Sequence, residues 1–262
     1  MSTSRFRQSG LSLIELMISV ILGLLLVAGA TQIFLANTQA FRLQDNISRT
    51  QESGRLGLEI LLADLRRAGM DYSNVDAVVG ANGSATVATN TGLLTNSDEV
   101  TIKYTVPDEI GAMSDCEGNT VAPGSIVTNR YFVKMDTNPA IPALFCSGSG
   151  GAGTALVRGV ESFQVQYGVA DAASVGNGFI SAEKYVTAGA ATLVNVASIR
   201  VGLLMRSEAS VQGLVAPKDS IVVLDTTVTD TALAAVKVNG SFPIHRYFSG
   251  MAVMRNAVKG TL

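Results

Sequence analysis

The chain of 262 residues is long enough to bury a substantial core in one large domain or two small ones. With 47% hydrophobic and 15% charged residues and a mean hydropathy of +0.34, it is more apolar than an ordinary soluble domain, of which roughly 25% is charged. The formal net charge of -2 gives no bulk positive charge for nucleic acid or anionic lipid, and one histidine with two cysteines excludes a Cys/His zinc cluster.

The N-terminal part of the chain combines a short polar leader with a long apolar segment. Residues 1–10 carry two arginines and no acidic residue. From Leu11 the chain is apolar, and 26 uncharged residues separate Glu15 from Arg42. Because about 20 apolar residues in a helix cross the hydrocarbon core of a bilayer, the segment predicts a membrane-spanning helix. The basic leader favours a cytoplasmic N-terminus and an exported remainder.

Two interpretations of this segment compete. A conventional secretory signal would be removed after Ala28, Gly29 and Ala30, and the mature chain would begin at Thr31. However, the apolar run is longer than the usual region of about 7–15 residues in such signals. The carboxylate of Glu15 would cost about 2–3 kcal/mol at mid-bilayer on insertion scales. A disposable signal does not need this acid, so Glu15 is predicted to have a functional partner.

The sequence GLSLIELM, which begins at Gly10, resembles the class III signal of type IV prepilins and type II secretion pseudopilins. The resemblance implies that a prepilin peptidase cuts between Gly10 and Leu11 and N-methylates Leu11. Glu15 would then lie near the freed amine of a neighbouring subunit, and a cationic amine is a suitable partner for a buried carboxylate. The resemblance also implies a single-pass protein of the bacterial inner membrane that joins other pilins through an inner-membrane assembly platform.

The helical pattern continues beyond the membrane segment without a proline. Apolar residues recur on one face, acidic and basic residues alternate on the other, and Gly69 is placed to end the helix. We therefore predict an N-terminal helix over 11–68, of which 11–35 spans the membrane. Gly54 and Gly57 weaken the middle of this helix and allow for a local break there.

The remainder of the chain, 69–262, alternates between apolar and polar residues and predicts one β-rich globular domain. The basic leader before the apolar helix places this domain outside the cytoplasm. Strands are predicted at 100–106, 125–134, 163–169, 199–205, 220–224 and 244–249. Tight turns are predicted at Asn82-Gly83, Asn177-Gly178 and Asn239-Gly240, and loops at 80–97 and 107–125. The predicted fold class is α+β, with a long N-terminal helix followed by an antiparallel β-rich domain.

Four segments resemble the PilW family of minor type IV pilins: QESGRLGLEILLADLRRAGM, GVESFQVQYGV, VASIRVGLLMRS and HRYFSGMAVMRN. The resemblance implies a low-abundance structural subunit with no enzymatic activity and no cofactor. Such a subunit helps to start pilus assembly at or near the tip, beside other minor and major pilins, and serves twitching motility, adhesion or DNA uptake. The apolar helix lacks the kinking proline of many major pilins, which fits a minor subunit.

Two cysteines, Cys116 and Cys146, lie 30 residues apart. If this part of the chain is exported, they predict a disulfide worth about 3–4 kcal/mol by the chain-entropy treatment. Two buried free thiols are the alternative.

Other motifs give weaker indications. Residues 148–153 match GxGxxG, but a strand-like segment follows them, which predicts a loop and not a dinucleotide site. His245 has no GxSxG serine to complete a triad and is interpreted as a structural or surface residue. The acidic pairs 98–99 and 108–109 lack the spacing of a calcium loop and predict solvated charge. The net charge disfavours a DNA-binding surface made from Arg66, Arg67, Arg246 and Arg255.

Three rival functions stay open at this level. One is a J-type minor pseudopilin of a type II secretion system, which has the same architecture. Another is a tip adhesin that binds a ligand. The third is an exported enzyme on a signal anchor, for which the sequence nominates no nucleophile, base or metal ligand.

Overall fold

A computed structural model describes residues 12–72, 76–85, 97–137, 140–171, 181–188, 195–210, 214–237, 240–254 and 256. The chain divides into two compact units, Met1–Asp45 and Asn46–Leu262. Helix α1, Leu13–Leu65, accounts for nearly all of the described part of the first unit and is the first element of the second.

Helix α1 satisfies its polar side chains locally. Ser19, Thr31 and Thr38 donate from their hydroxyls to the carbonyl four residues earlier, at 2.7, 2.8 and 2.8 Å. The helix ends at Leu65, three residues before the predicted boundary, and the turn that follows uses tighter i→i+3 hydrogen bonds. Gly69 reverses the chain with a φ of 74°, a conformation that glycine adopts without steric cost.

The strands that follow form two main antiparallel sheets. The strands of the first sheet are β1 Val78–Ala85, β2 Ser97–Thr105, β5 Ile126–Thr137, β6 Ala140–Ser147 and β7 Thr154–Arg158, in the order β1-β2-β5-β6-β7. The strands of the second sheet are β8 Val160–Val169, β9 Lys184–Val186, β10 Val196–Arg206 and β13 His245–Val253, in the order β13-β10-β8-β9.

Three small elements complete the described fold. Strands β3, Met113–Ser114, and β4, Thr120–Val121, form a short hairpin, as do β11, Ile221–Val223, and β12, Thr226–Val228. Helix α2, Asp230–Ala235, is capped by Thr229, whose hydroxyl accepts a hydrogen bond of 3.2 Å from the Ala232 N–H. The elements β11, β12 and α2 supply a small apolar cluster around Leu204.

The two main sheets are joined at Gly159, which lies between β7 and β8. Its φ is 82°, and a Cβ there would lie 2.6 Å from the carbonyl oxygen of Arg206. The Gly159 N–H donates to Pro142 O in β6 at 2.7 Å, and the Gly159 carbonyl accepts from Arg206 N in β10 at 2.7 Å. One segment of chain therefore leaves the first sheet and enters the second without a loop.

The main hydrophobic core joins the end of α1 to both sheets. Leu61 and Leu65 of α1 are fully buried, as are Tyr104 of β2, Tyr131 of β5 and Phe163 of β8. Burial of each leucine stabilises the fold by about 1.5–3 kcal/mol. The antiparallel β-rich domain behind a long helix confirms the predicted fold class.

All six predicted strands are present, as β2, β5, β8, β10, β11 and β13. The turn predicted at Asn82-Gly83 is wrong, because both residues lie inside β1. The pairing with β2 jumps there from Ala81↔Glu99 to Ala85↔Ser97, so the Asn-Gly pair forms a bulge. The predicted loops also contain strand, namely the end of β1 and the β3–β4 hairpin. Asn177-Gly178 and Asn239 lie outside the described residues.

Candidate functional site: the N-terminal helix and its contacts with the sheets

The start of α1 carries the acid on which the predicted assembly role depends. Glu15 lies in the first turn of the helix, where the helix dipole favours a negative charge. Its N–H donates to the Ser12 carbonyl at 3.1 Å, and its side chain is exposed. Gly10 and Leu11, the predicted cleavage and methylation residues, lie outside the described residues.

The apolar stretch of α1 is exposed around its whole circumference. Its most apolar 18-residue window has a mean hydropathy of 2.5, and none of that window is buried within the chain. Leu13 is 77% exposed and Leu26 is 75% exposed, whereas a soluble domain rarely leaves such a large apolar surface in contact with water. By its length and composition, this helix could cross a membrane.

The second half of α1 contacts the sheets through glycines. Gly54 lies against the ring of Phe248 in β13 so closely that a Cβ would overlap the ring. A Cβ on Gly57 would lie 3.1 Å from a methyl group of Val157 in β7. Both glycines are buried and the helix is continuous through them, so the break allowed for at this point does not occur. Their function is to permit close approach of the helix to the sheets.

A buried carboxylate ties the end of α1 to β5. Asp64 is 6% exposed and accepts hydrogen bonds from Tyr131 Oη at 2.6 Å and from Asn129 Nδ2 at 2.7 Å. Arg67 adds a longer contact of 3.4 Å from the following turn. Burial raises the pKa of Tyr131, and the negative charge of Asp64 raises it further, so Tyr131 stays a neutral donor. This contact holds the helix end in one register, and the sequence did not reveal it.

The cysteine pair fastens the β3–β4 hairpin to the first sheet. Cys116 and Cys146 form a disulfide with their Cα atoms 6.1 Å apart. Residues 148–153 form the loop between β6 and β7, so the GxGxxG match is a hairpin connection. Two carboxylates flanking Cys116 accept from this loop: Asp115 from Ser149 N at 3.1 Å, and Glu117 from Gly148 N at 2.8 Å and Gly153 N at 3.0 Å. The backbone N–H groups that would hold a phosphate are bonded to the chain's own acids.

His245 belongs to a buried polar cluster with Glu161 of β8 and Arg206 of β10. Its Nε2 lies 2.9 Å from Oε2 of Glu161, and the side chain of His245 is 4% exposed. Arg206 contacts the other oxygen of Glu161 at 3.3 Å, and burial lowers the pKa of Arg206. His245 is therefore a structural residue, as predicted, and its partner Glu161 could not be identified from the sequence.

The acidic pairs have different environments. Asp98 is buried and accepts hydrogen bonds from Gly83 N at 3.0 Å and Val165 N at 2.9 Å, so its interpretation as solvated charge is wrong. Burial raises the pKa of Asp98, and these two N–H donors partly offset that effect. Glu99 forms an ion pair with Arg130, whereas 108–109 are exposed. The described residues contain no group of three or more His, Cys, Asp or Glu side chains suited to a metal.

Among the described residues, no contact joins the arginines that were considered for a DNA-binding surface. Arg66 and Arg67 follow the end of α1, Arg246 lies in β13, and Arg255 lies outside the described residues. Arg67 is engaged with Asp64.

Comparison with known proteins adds two matches at opposite ends of the chain. Residues 5–31 match the family described as "Prokaryotic N-terminal methylation motif". Residues 130–256, just under half of the chain, match the family described as "Type IV Pilus-assembly protein W". A solved structure, "Type IV-like pilin TTHA1219 from Thermus thermophilus", is similar at a TM-score of 0.42 and 15% identity, covering 83% of this chain and 98% of that one. No curated protein sequence matches the chain.

The methylation motif, the exposed apolar helix that follows it and the antiparallel domain that comes next in the sequence are features that the chain shares with proteins of the type IV pilin class. Over residues 130–256 the chain is similar to the PilW family of pilus-assembly proteins. Proteins of this class are structural subunits that undergo prepilin processing and interact with other pilins.

Proposed function

We propose that the chain is cut between Gly10 and Leu11, methylated on Leu11 and drawn from the inner membrane into a filament by packing of its apolar helix. The observation that supports this proposal is the bare apolar surface of α1 with one acid, Glu15, in its first turn. Since an isolated carboxylate is costly in hydrocarbon, a cationic partner would favour the assembled state. The freed amine of a neighbouring subunit has the required charge.

Mass spectrometry of the full-length protein purified from its host tests the processing step. The proposal expects a mature chain that begins at methylated Leu11. A chain that begins at Thr31 would show removal of an ordinary secretory signal and would contradict the proposal.

A pair of substitutions tests the role of Glu15. Glu15→Leu removes the charge, and Ser19→Leu is the matched control, since it also replaces a polar residue by leucine on the same helix one turn later. Both variants should insert into the membrane like the wild type, because neither adds a polar group. Only Glu15→Leu should be lost from isolated filaments. Equal incorporation of the two variants would rule out the assembly role of Glu15.

We further propose that the chain is a low-abundance subunit that helps to start pilus assembly near the tip. The match to the pilus-assembly family supports this role over that of a major subunit. In a strain that lacks the chain, pili should be fewer but of normal structure, and tagged chain should be found as one or a few copies at one filament end. Even labelling along the filament would show a major subunit instead.

A further inference from the structure

Strand β13 is an outer strand of the second sheet and, among the described residues, pairs only with β10. The N–H of Met254 donates to Ala197 O at 2.8 Å, and the N–H of Ser207 donates to Ile244 O at 2.9 Å. These two bonds fix the alternation of the antiparallel ladder. Even-numbered residues of β13 direct their main-chain groups to β10, and odd-numbered residues direct theirs outward.

The outward-directed groups form a regular row along one edge. They include those of Tyr247, Ser249, Met251 and Val253, and the structure gives their N–H groups no partner within the described ranges. The side chains of three of these residues are exposed, by 38% for Tyr247, 47% for Met251 and 49% for Val253. The strand has nine residues, and its charged residue Arg246 lies at the second position. From 247 to 253 it contains neither proline nor a charged side chain, which natural proteins use to block sheet edges.

Strand β1, one of the two outer strands of the first sheet, offers a contrast. Strand β1 carries the bulge between Ala81 and Ala85, and Gly83 within it has a φ of 60°. A bulge twists an edge and interrupts the row of groups that a further strand would need. The bulge therefore interrupts the edge of β1, whereas the edge of β13 has no partner strand among the residues that the structure describes.

A groove of about 660 Å³ lies between β13 and α1. Leu58 and Phe248 line it with apolar surface, and Glu52 and Arg55 line it with charge of both signs. Ser249, whose main-chain groups point outward, also lines the groove. Side chains of a segment that paired with β13 would therefore have a partly apolar space to enter.

We propose that the free edge of β13 binds an extended strand of a neighbouring pilin, which joins the second sheet by main-chain hydrogen bonds. An extended strand is the occupant because alternating N–H and C=O groups along an edge are matched by another extended backbone, whereas a helix satisfies its own and a lipid has none. The proposal rests on the proposed function, since the filament supplies the neighbour.

Amide hydrogen exchange at single-residue resolution tests this pairing directly, with the full-length chain in detergent compared with the same chain in isolated filaments. In detergent, Gly250 and Ala252 should be protected and Ser249 and Met251 should exchange freely. In filaments, Ser249 and Met251 should become protected by about 100-fold or more. Protection of Ser249 and Met251 already in detergent would show that the chain covers its own edge, and free exchange in filaments would show contact without strand pairing. Either result overturns the proposal.

Variants at Ser249 separate the backbone from the side chain. Ser249→Pro removes the outward N–H, which an edge strand tolerates, and Ser249→Ala removes the hydroxyl and keeps the N–H. We expect about a tenfold loss of filament incorporation for Ser249→Pro and no loss for Ser249→Ala. Retained protection at Gly250 and Ala252 would verify that the proline variant is folded.

A second pair of variants guards against a folding defect in the proline variant. Val253→Lys adds a charge to the edge of β13, and Val222→Lys adds one to a valine of β11 that is 56% exposed, against 49% for Val253. Only Val253→Lys should reduce incorporation.

If Ser249→Pro and Val253→Lys enter filaments normally while Glu15→Leu does not, strand addition is wrong and the filament function stands. If wild-type chain is absent from filaments, both proposals are wrong.

Discussion

The carboxylate of Asp64, near the end of α1, accepts a hydrogen bond of 2.6 Å from the hydroxyl of Tyr131 in β5. The two residues are 67 positions apart in the sequence, and both are buried. Because the same carboxylate also accepts from Asn129, it satisfies two polar side chains that would otherwise be buried without a partner.

This arrangement makes Asp64 the most sensitive polar residue of the helix end. Asp64→Ala should lower the free energy of unfolding by about 2–4 kcal/mol, since two donors lose their acceptor. Tyr131→Phe should cost only about 1–2 kcal/mol, because it removes a donor and leaves the carboxylate bonded to Asn129. Denaturant unfolding of the full-length chain in detergent micelles measures both. Glu59→Ala, on an exposed position of the same helix, is the control, and an equal loss at Glu59 would contradict the assignment.

The contact between Gly54 and Phe248 predicts an unusual response to alanine. Alanine normally strengthens a helix by about 1 kcal/mol relative to glycine. Here Gly54→Ala should instead destabilise the chain by about 1–3 kcal/mol, because its Cβ overlaps the ring. Phe248→Ala makes room, so adding Gly54→Ala to that variant should cost little or increase stability. A double-mutant cycle on thermal unfolding measures the coupling, and additive effects would contradict the proposed overlap.

The Cys116–Cys146 disulfide should stabilise the domain by about 3–4 kcal/mol in the chain-entropy treatment. The double variant Cys116→Ser/Cys146→Ser should therefore unfold at a lower denaturant concentration. A reducing agent should lower the stability of the wild type towards that of the variant and leave the variant unchanged. A wild type that does not respond to reduction, with both thiols shown to be free, would contradict this contribution.

Asp115 should make the domain sensitive to acid. Burial raises the pKa of this carboxyl, but hydrogen bonds from Asn119, Glu117 and Ser149 outweigh that effect and hold the pKa below its ordinary value of 3.8. A lowered pKa in the folded state stabilises the fold above the unfolded value, and this stabilisation is lost as the pH falls through the folded value.

The variant Asp115→Asn tests this dependence. It should lower the free energy of unfolding by about 1–3 kcal/mol at neutral pH. The further loss of stability as the pH falls below the ordinary pKa of 3.8 should be smaller than in the wild type, because the titrating group is gone. Denaturant unfolding at several pH values measures the difference, and Asp108→Asn, at an exposed acid, is the control. Parallel pH profiles for the wild type and Asp115→Asn would show that Asp115 does not contribute.

The strands and the helix were predictable because hydrophobic periodicity reports which face of an element is buried. Periodicity says nothing about which distant side chains meet, so the contact between Asp64 and Tyr131 and that between Glu161 and His245 required the structure. The alternating pattern also could not show that Asp98 is buried beneath the β1 bulge.

Glycine shows the same limit. In the sequence, Gly54 and Gly57 indicated a weak point of the helix, and Asn82-Gly83 indicated a tight turn. The structure uses the first pair for close contact with the sheets and the second for a bulge. What a glycine does depends on the partner that approaches it, and a single sequence does not identify that partner. For the glycine-rich loop 148–153, the sequence gives one indication of its hydrogen-bond partners, namely the acidic residues on both sides of Cys116.

The contact between α1 and β13 has a consequence for the order of events during synthesis. Gly250 of β13 leaves room for Leu58 and Leu62 of α1, so residues nearly 200 positions apart in the sequence pack against one another. While the chain emerges from the ribosome, this surface of the helix stays uncovered until β13 has been made. A chain released early from translation would therefore have a complete apolar helix joined to an incomplete domain, and the uncovered leucines of the helix would be exposed to proteases and chaperones.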